Sequence, residues 1–126
     1  ADYYPPAWQN DIDTINQFVY ERVNNGVYKC GFATKQTAYD QAVELLFAAL
    51  DTLEKRLENQ SYLVGNVLTE ADWRLFTTLI RFDAVYYSHF KCNLRQIKEY
   101  KNLSHYLNHL YHHPGIAQTV NFEHIK

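Results

Sequence analysis

The sequence predicts an all-α domain, a bundle of five or six helices. Apolar residues recur three and four positions apart along most of the chain, which is the spacing of one face of an α-helix. The four glycines and three prolines fall at the predicted boundaries between these apolar stripes. No segment shows the apolar and polar alternation of a half-buried β-strand. A chain of 126 residues is typical of one such domain.

The composition argues against several classes of function. The 12 Lys and Arg residues nearly balance the 14 Asp and Glu residues, with no basic cluster, so nucleic acid is not an expected partner. No apolar stretch approaches the roughly 20 residues that span a bilayer, so we expect no membrane association. Two cysteines are too few for a disulfide framework, which favours the cytoplasm. The absence of methionine indicates a piece of a longer chain.

The N-terminal segment is predicted to be a linker. Pro5 and Pro6 cannot lie inside a helix, so residues 1–7 are expected to be extended. Residues 8–126 then form a single helical domain.

The first helix is predicted over residues 8–24. Its apolar stripe is followed by Asn-Asn-Gly, residues that tolerate a left-handed stop. The next nine residues, 26–34, carry two glycines and two aromatic residues without helical spacing, so we expect an ordered loop. A second, longer stripe predicts a helix that ends near Asn59.

The central helix is predicted over residues 70–88. Thr69 is its expected N-cap, because its hydroxyl can accept a backbone hydrogen bond from three residues on while the Asp72 carboxylate reaches back to the Thr69 N–H. Apolar side chains then occupy most faces, as in a helix buried at the centre of a bundle.

The C-terminal part is predicted to contain shorter helices. One includes Leu94 and Ile97, and another begins at Asn102. Residues 116–120 can add a last turn.

Histidines and cysteines are the first candidates for chemistry. Four histidines within nine residues could place pairs on one helical face to bind a divalent metal, or they could be solvated near a helix C-terminus. No carboxylate at ligand spacing accompanies them, and we expect no metal. Cys30 could be a nucleophile beside Lys29, but it has no CxxC partner, and we expect Cys30 and Cys92 to pack as small buried residues.

A polar stripe on the central helix gives a second candidate. It consists of Arg74, Thr77, Thr78 and Arg81. In one interpretation Glu70 pairs with Arg74, and Arg81 pairs with Asp83 or another acid, holding the core in register. In the other, Arg81 lies in the wall of a ligand cleft and meets an anionic or oxygen-rich substrate.

Tyr28 is a third candidate. In the predicted loop, Gly26 and Gly31 would hold its side chain away from any helix. Its phenol could hydrogen-bond a substrate oxygen or donate a proton, and its ring could stack on a planar ligand. The alternative is core packing with a satisfied hydroxyl.

Several strings carry a family resemblance. They are VNNGVYK (23–29), GFA (31–33), LTEAD (68–72), RFD (81–83), HFKCN (89–93), PGI (114–116) and TVNFEHIK (119–126). With them, essentially the whole chain resembles the C-terminal domain of the xi-class glutathione transferases, the glutathionyl-hydroquinone reductases, which are related to the omega class. The resemblance implies the helical bundle typical of glutathione transferase C-terminal domains.

The resemblance also implies a two-domain enzyme. A thioredoxin-like N-terminal domain would hold glutathione, the co-substrate, and a catalytic cysteine. Its thiolate attacks the sulfur of a glutathionyl-hydroquinone, which releases the hydroquinone and leaves a mixed disulfide that a second glutathione resolves. The chain itself then has no catalytic residue and is expected to be inactive alone. The full-length protein is expected to be a cytoplasmic homodimer.

The substrate site is assigned to three residues of this chain. The tyrosine of the NNGVYK string belongs to the substrate site in the family, which implies this role for Tyr28. Omega-class relatives support Arg81 as a cleft residue, and we assign Tyr86 to the same site. The expected ligand is an aromatic or quinone-type small molecule. A non-catalytic helical module for dimerisation or protein binding is the alternative.

Overall fold

A computed structural model of the protein describes residues 3–114. The helices are α1 (Gln9–Val19), α2 (Asn25–Phe32), α3 (Gln36–Arg56), α4 (Glu70–Arg81), α5 (Tyr87–His89) and α6 (Lys101–Tyr111). Short 3₁₀ turns occupy Pro6–Trp8 and Ile97–Glu99, and π-helical turns occupy Tyr20–Asn24 and Phe82–Tyr86. The residues described contain no β-strand, so the predicted all-α class is confirmed. The predicted turn at 116–120 lies outside them.

The first helix continues much further than predicted. α1, the π turn and α2 follow one another without a break, so Tyr28 lies on a helix and the predicted loop at 26–34 is wrong. Val27 and Cys30 extend the buried stripe beyond Val23, a signal that the Asn-Asn-Gly sequence obscured. Asn24 does not end the helix either. Its side-chain oxygen instead accepts a hydrogen bond from the Thr78 hydroxyl at 2.8 Å.

The glycines of this helix serve close packing instead of a turn. Neither Gly26 nor Gly31 has a positive φ, whereas Gly65 does. A Cβ atom at Gly26 would lie 3.3 Å from Leu46 Cδ1, and one at Gly31 would lie 2.4 Å from Phe90 Cδ2. The absence of a side chain therefore lets α3 and Phe90 approach the helix.

The central helix begins at its predicted cap. The Thr69 hydroxyl accepts from the Ala71 N–H at 3.3 Å, and the Asp72 carboxylate accepts from the Thr69 N–H at 2.9 Å. Asp72 also accepts from the Leu63 N–H and the Tyr106 hydroxyl. Burial raises the pKa of Asp72 although these hydrogen bonds oppose the shift. One buried carboxylate thus joins the connector before α4, its first turn and α6.

α4, the second π turn and α5 form one continuous helical segment that runs through the core. Leu75, Leu79 and Phe82 are almost completely buried in it. Apolar side chains occupy most faces as predicted, and Arg74, Thr77 and Arg81 of the predicted polar stripe are exposed. The segment therefore has one face open to solvent.

The last helix packs through Leu103, Tyr106 and Leu110, which are buried. The short helix predicted before it is only the 3₁₀ turn Ile97–Glu99, and Leu94 is exposed. Asp83, in the second π turn, stabilises this 3₁₀ turn, because its carboxylate accepts hydrogen bonds from the backbone N–H groups of residues 97 and 98. Among residues 3–114, no helix combines the length and apolarity needed to cross a membrane.

Candidate functional site

Four aromatic side chains form a continuous cluster, which we call the aromatic wall: Tyr28, Phe32, Tyr86 and Phe90. The near-parallel rings of Tyr28 and Phe32, one helical turn apart on α2, have centroids 6.2 Å apart and planes inclined by 9°. Phe90 meets Tyr28, Phe32 and Tyr86 edge-on, at 5.5, 5.7 and 5.2 Å. Edge-to-face and offset parallel pairs are the favourable arrangements of aromatic rings. The wall is therefore a packed unit built from two helical segments.

Phe90 owes its position to backbone features on both sides of it. Its own N–H and that of Cys92 both donate to the Tyr86 carbonyl oxygen at 3.1 Å. Lys91, between them, has a φ of 60°, in the left-handed region that non-glycine residues seldom adopt. The gap left by Gly31 receives the Phe90 ring. Phe90 therefore ends the helical segment one turn after Tyr86, and the chain leaves the helix at Lys91.

The hydroxyl groups of Tyr28 and Tyr86 lie 3.2 Å apart. Tyr86 is 6% exposed and Tyr28 is 44% exposed. Either hydroxyl can be the donor in this hydrogen bond. Because the Tyr28 side chain is also open to solvent, its phenol is the one that a ligand oxygen can reach.

The environment of Tyr86 keeps its phenol neutral. Burial, followed by the hydrogen bond to Tyr28, raises the pKa of Tyr86 to about 12, and the positive charge of Arg81 partly offsets the rise.

Arg81 lies beside this hydroxyl pair without an acidic partner in the part of the chain described. Its guanidinium Nη1 donates to the Thr77 carbonyl oxygen at 2.7 Å, and the side chain is exposed. The pair with Asp83 considered from the sequence does not form, because the Asp83 carboxylate holds the 3₁₀ turn. Arg74 does meet Glu70, at 3.7 Å. Arg81 is thus available to an anionic or oxygen-rich ligand.

Cys30 and Cys92 are buried behind the wall as free thiols. The Cys92 thiol donates weakly to the Val27 carbonyl oxygen at 3.7 Å. Its hydrogen bond with Cys30, together with burial, raises the pKa of the Cys92 thiol, and the same hydrogen bond lowers the pKa of Cys30 although burial opposes the shift. Cys30 is nevertheless completely buried, so it is not placed to act as an exposed nucleophile.

His109, His112 and His113 each contact a different partner. The His109 ring nitrogen Nε2 lies 2.9 Å from the Tyr62 hydroxyl, and His112 Nδ1 lies 2.8 Å from the Asn108 carbonyl oxygen. His113 packs against the Trp73 ring. Within residues 3–114, no three His, Cys, Asp or Glu side chains are close enough together to hold a metal ion.

A cavity of about 420 Å³ lies elsewhere, between the end of α3 and α6. Asn59, Asn102 and His109 are among its lining residues, and none of the aromatic wall contributes to it. We favour the wall as the site, because it combines aromatic surface with an available hydroxyl donor and a cation.

Two members of the wall, Phe32 and Phe90, were not singled out from the sequence. Both lie in strings noted above, GFA and HFKCN. The signal that could have found them is spacing, since Tyr28 and Phe32 are four residues apart, as are Tyr86 and Phe90. That the two pairs meet could not be read from the sequence.

Comparison with known proteins identifies the family. A family model described as glutathione S-transferase, C-terminal domain, matches residues 36–109. The chain belongs to this family. This glutathione S-transferase C-terminal domain is 58% identical over 126 residues to glutathionyl-hydroquinone reductase YqjG of Escherichia coli, and 54% identical to glutathionyl-hydroquinone reductase PcpF of Sphingobium chlorophenolicum. The matches cover all of the domain and 38% and 40% of those proteins, so it spans about two fifths of their length.

Solved structures place the domain within the xi class. It superposes on the glutathione-bound structure of YqjG from Escherichia coli with a TM-score of 0.97, at 58% identity, covering 99% of the domain and 41% of that chain. The Xi glutathione transferase of Phanerochaete chrysosporium gives 0.96 at 55% identity, covering 100% of the domain and 43% of that chain. The resemblance stated from the sequence strings is confirmed.

Proposed function

We propose that this domain is the helical substrate-site domain of a glutathione-dependent reductase that acts on glutathionyl-hydroquinones. The names of its relatives support this activity. The observation that carries it is the solvent-accessible Tyr28 hydroxyl, hydrogen-bonded to Tyr86, within a wall of aromatic rings. A hydroquinone needs both an aromatic contact surface and a partner for its oxygen.

The proposed reaction requires a second, thioredoxin-like domain. Its cysteine thiolate attacks the glutathione sulfur of the substrate, the bond between that sulfur and the ring carbon breaks, and the ring carbon takes a proton. The hydroquinone leaves, and the enzyme retains a mixed disulfide with glutathione. A second glutathione thiol attacks this disulfide, restoring the cysteine and releasing glutathione disulfide. Metal is not required at any step.

The residues of this domain bind and orient the substrate in this scheme. Tyr28 donates a hydrogen bond to a ring oxygen of the hydroquinone, and Tyr86 holds the Tyr28 hydroxyl through their shared hydrogen bond. Arg81 supplies positive charge beside the pair, favouring electron-rich oxygens. Alone, the domain is inactive. We further propose that the full-length protein is a cytoplasmic homodimer.

The test is the Tyr28→Phe variant of the full-length protein. Loss of one substrate hydrogen bond should lower kcat/KM for a glutathionyl-hydroquinone by about tenfold, and by more if the phenol donates the proton itself. Tyr20→Phe changes an exposed tyrosine on the same continuous helix and should leave the kinetics unchanged. Unchanged kinetics in Tyr28→Phe would contradict the assignment.

A further inference from the structure

Phe32 is an exposed aromatic residue that the proposed reaction does not use. It is 72% exposed, although a large apolar side chain gains free energy by leaving water. Among residues 3–114 it is the most exposed of the large apolar side chains, yet it stacks on Tyr28 and meets the edge of Phe90. Its position therefore continues the surface of the candidate site.

The contacts also show at which end of the wall Phe32 lies. It has ring contacts with Tyr28 and Phe90 but, among the ring pairs of the residues described, none with Tyr86. The hydrogen-bonding end of the wall is where the hydroxyls of Tyr28 and Tyr86 meet. A ligand held there by its oxygen must extend along the wall to reach Phe32.

The position of Phe32 suits a flat, extended ligand. Phe32 lies one helical turn beyond Tyr28, with its ring centroid 6.2 Å from that of Tyr28, and adds exposed apolar surface next to it. A ligand with a second fused ring can reach this added surface while its hydroxylated ring stays near Tyr28. A ligand with a single ring can make only the first set of contacts.

We infer that Phe32 is a specificity-determining residue, which favours fused two-ring hydroxyaromatic ligands over single-ring ones. This inference rests on the proposed function for its biological substrate, a glutathionyl-hydroquinone. Discrimination between one-ring and two-ring ligands can nevertheless be measured by binding alone. Phe32 makes no hydrogen bond to the ligand. It acts by packing against the second fused ring of the ligand.

The experiment measures binding of 1-naphthol and phenol to the full-length protein by calorimetry. Both ligands carry one hydroxyl and differ by one fused ring. Wild-type protein should bind 1-naphthol more tightly than phenol. Phe32→Leu should weaken 1-naphthol binding roughly three- to tenfold, the range expected for one aromatic pair, and should change phenol binding less than twofold.

Two further variants serve as controls. Phe32→Tyr keeps an aromatic ring and should retain the preference for 1-naphthol. Tyr20→Leu removes another exposed ring from the same continuous helix and should bind both ligands as wild type does. Because Phe32 is largely exposed, Phe32→Leu is expected to fold, and its urea unfolding midpoint checks this.

Three outcomes would overturn the inference: equal weakening of both ligands by Phe32→Leu, no weakening of either, or no preference for 1-naphthol in the wild type, including failure of both ligands to bind. The proposed function is tested separately by turnover of a glutathionyl-hydroquinone. Lack of turnover with the binding difference intact would reject the proposed function and keep the inference. Turnover without the binding difference would do the reverse.

Discussion

At the scale of single residues, burial decides the roles of the two tyrosines whose hydroxyls meet. Tyr28 and Tyr86 carry the same phenol group, but only Tyr28 is substantially open to solvent. The two hydroxyls share one hydrogen bond, and only Tyr28 offers its phenol to a ligand outside the protein. Two chemically identical side chains thus become a positioning group and a binding group.

The raised pKa of Tyr86 predicts a loss of stability at alkaline pH. Its pKa in the folded state, about 12, lies above the ordinary value of 10.0, so folding favours the neutral phenol. This contribution to stability is complete below pH 10 and is lost as the pH rises from 10 towards 12. Urea unfolding midpoints across this window should fall less steeply for Tyr86→Phe than for the wild type.

Some decrease of the unfolding midpoint with pH will remain in Tyr86→Phe, because burial also raises the pKa values of Tyr100 and Tyr106. An identical slope for Tyr86→Phe and wild type would show that Tyr86 does not hold its proton more tightly in the folded protein.

At the scale of elements, the helix that carries Tyr28 shows how a glycine can be misread. Glycine normally weakens a helix by roughly 0.5–1 kcal/mol relative to alanine, so two glycines and two asparagines favour a loop on local grounds. The buried stripe through Val27 and Cys30 outweighs that cost, and Gly31 provides room for Phe90. Packing between helices determined this element.

Gly31→Ala is therefore expected to destabilise the protein despite improving helix propensity. The new Cβ would lie 2.4 Å from Phe90 Cδ2, so the ring must move, and overpacking of this kind costs about 1–3 kcal/mol. A net loss of about 1–2 kcal/mol should appear in urea unfolding, together with a changed near-ultraviolet circular dichroism signal from the wall.

Gly26→Ala is the matched control, on the same continuous helix. Its Cβ would lie 3.3 Å from the end of the Leu46 side chain, which can shift more easily, so its effect should be small. If Gly31→Ala proved as stable as the wild type, the close packing of Phe90 against this helix would be disproved.

At the scale of the whole molecule, carboxylates from one element secure the backbone of another. The Glu54 carboxylate, near the end of α3, accepts hydrogen bonds from the Asn102 N–H at 2.9 Å and the Leu103 N–H at 2.7 Å. α6 has no side-chain cap of its own at Tyr100. The backbone N–H groups of its first turn are instead paired by Glu54, which lies 48 positions before Asn102 in the chain.

Removing this distant cap should loosen the bundle. Glu54→Ala leaves N–H groups of α6 unpaired and should cost about 1–2 kcal/mol, as the loss of an N-cap does. Urea unfolding measures the loss, and amide hydrogen exchange should show α6 losing protection first. Glu44→Ala, which removes an exposed acid from the same helix, is expected to have little effect. Equal stability of the two variants would contradict this role.

The candidate site shows how far prediction could go. Tyr28 was singled out for its phenol and the NNGVYK string, and Arg81 for its place in the polar stripe of the central helix, which are features of the local sequence. Phe32 and Phe90 were overlooked, because their four-residue spacing from Tyr28 and Tyr86 indicates a shared helical face but not that the two pairs meet. The wrong surroundings were predicted for Tyr28, since the loop assignment rested on local propensity, and packing against α3 overrode it.

The helical class, the capping box at Thr69 and the strings that mark the family could be read from the sequence, because these depend on residues within a few positions of one another. Only the packed structure shows that the helix continues past Gly26, and that Tyr28 meets Tyr86 across a separation of 58 residues. Such contacts exist only when the helices pack and bury their stripes. For that reason the chemistry of this domain was visible in its residues, while its arrangement into an aromatic wall was not.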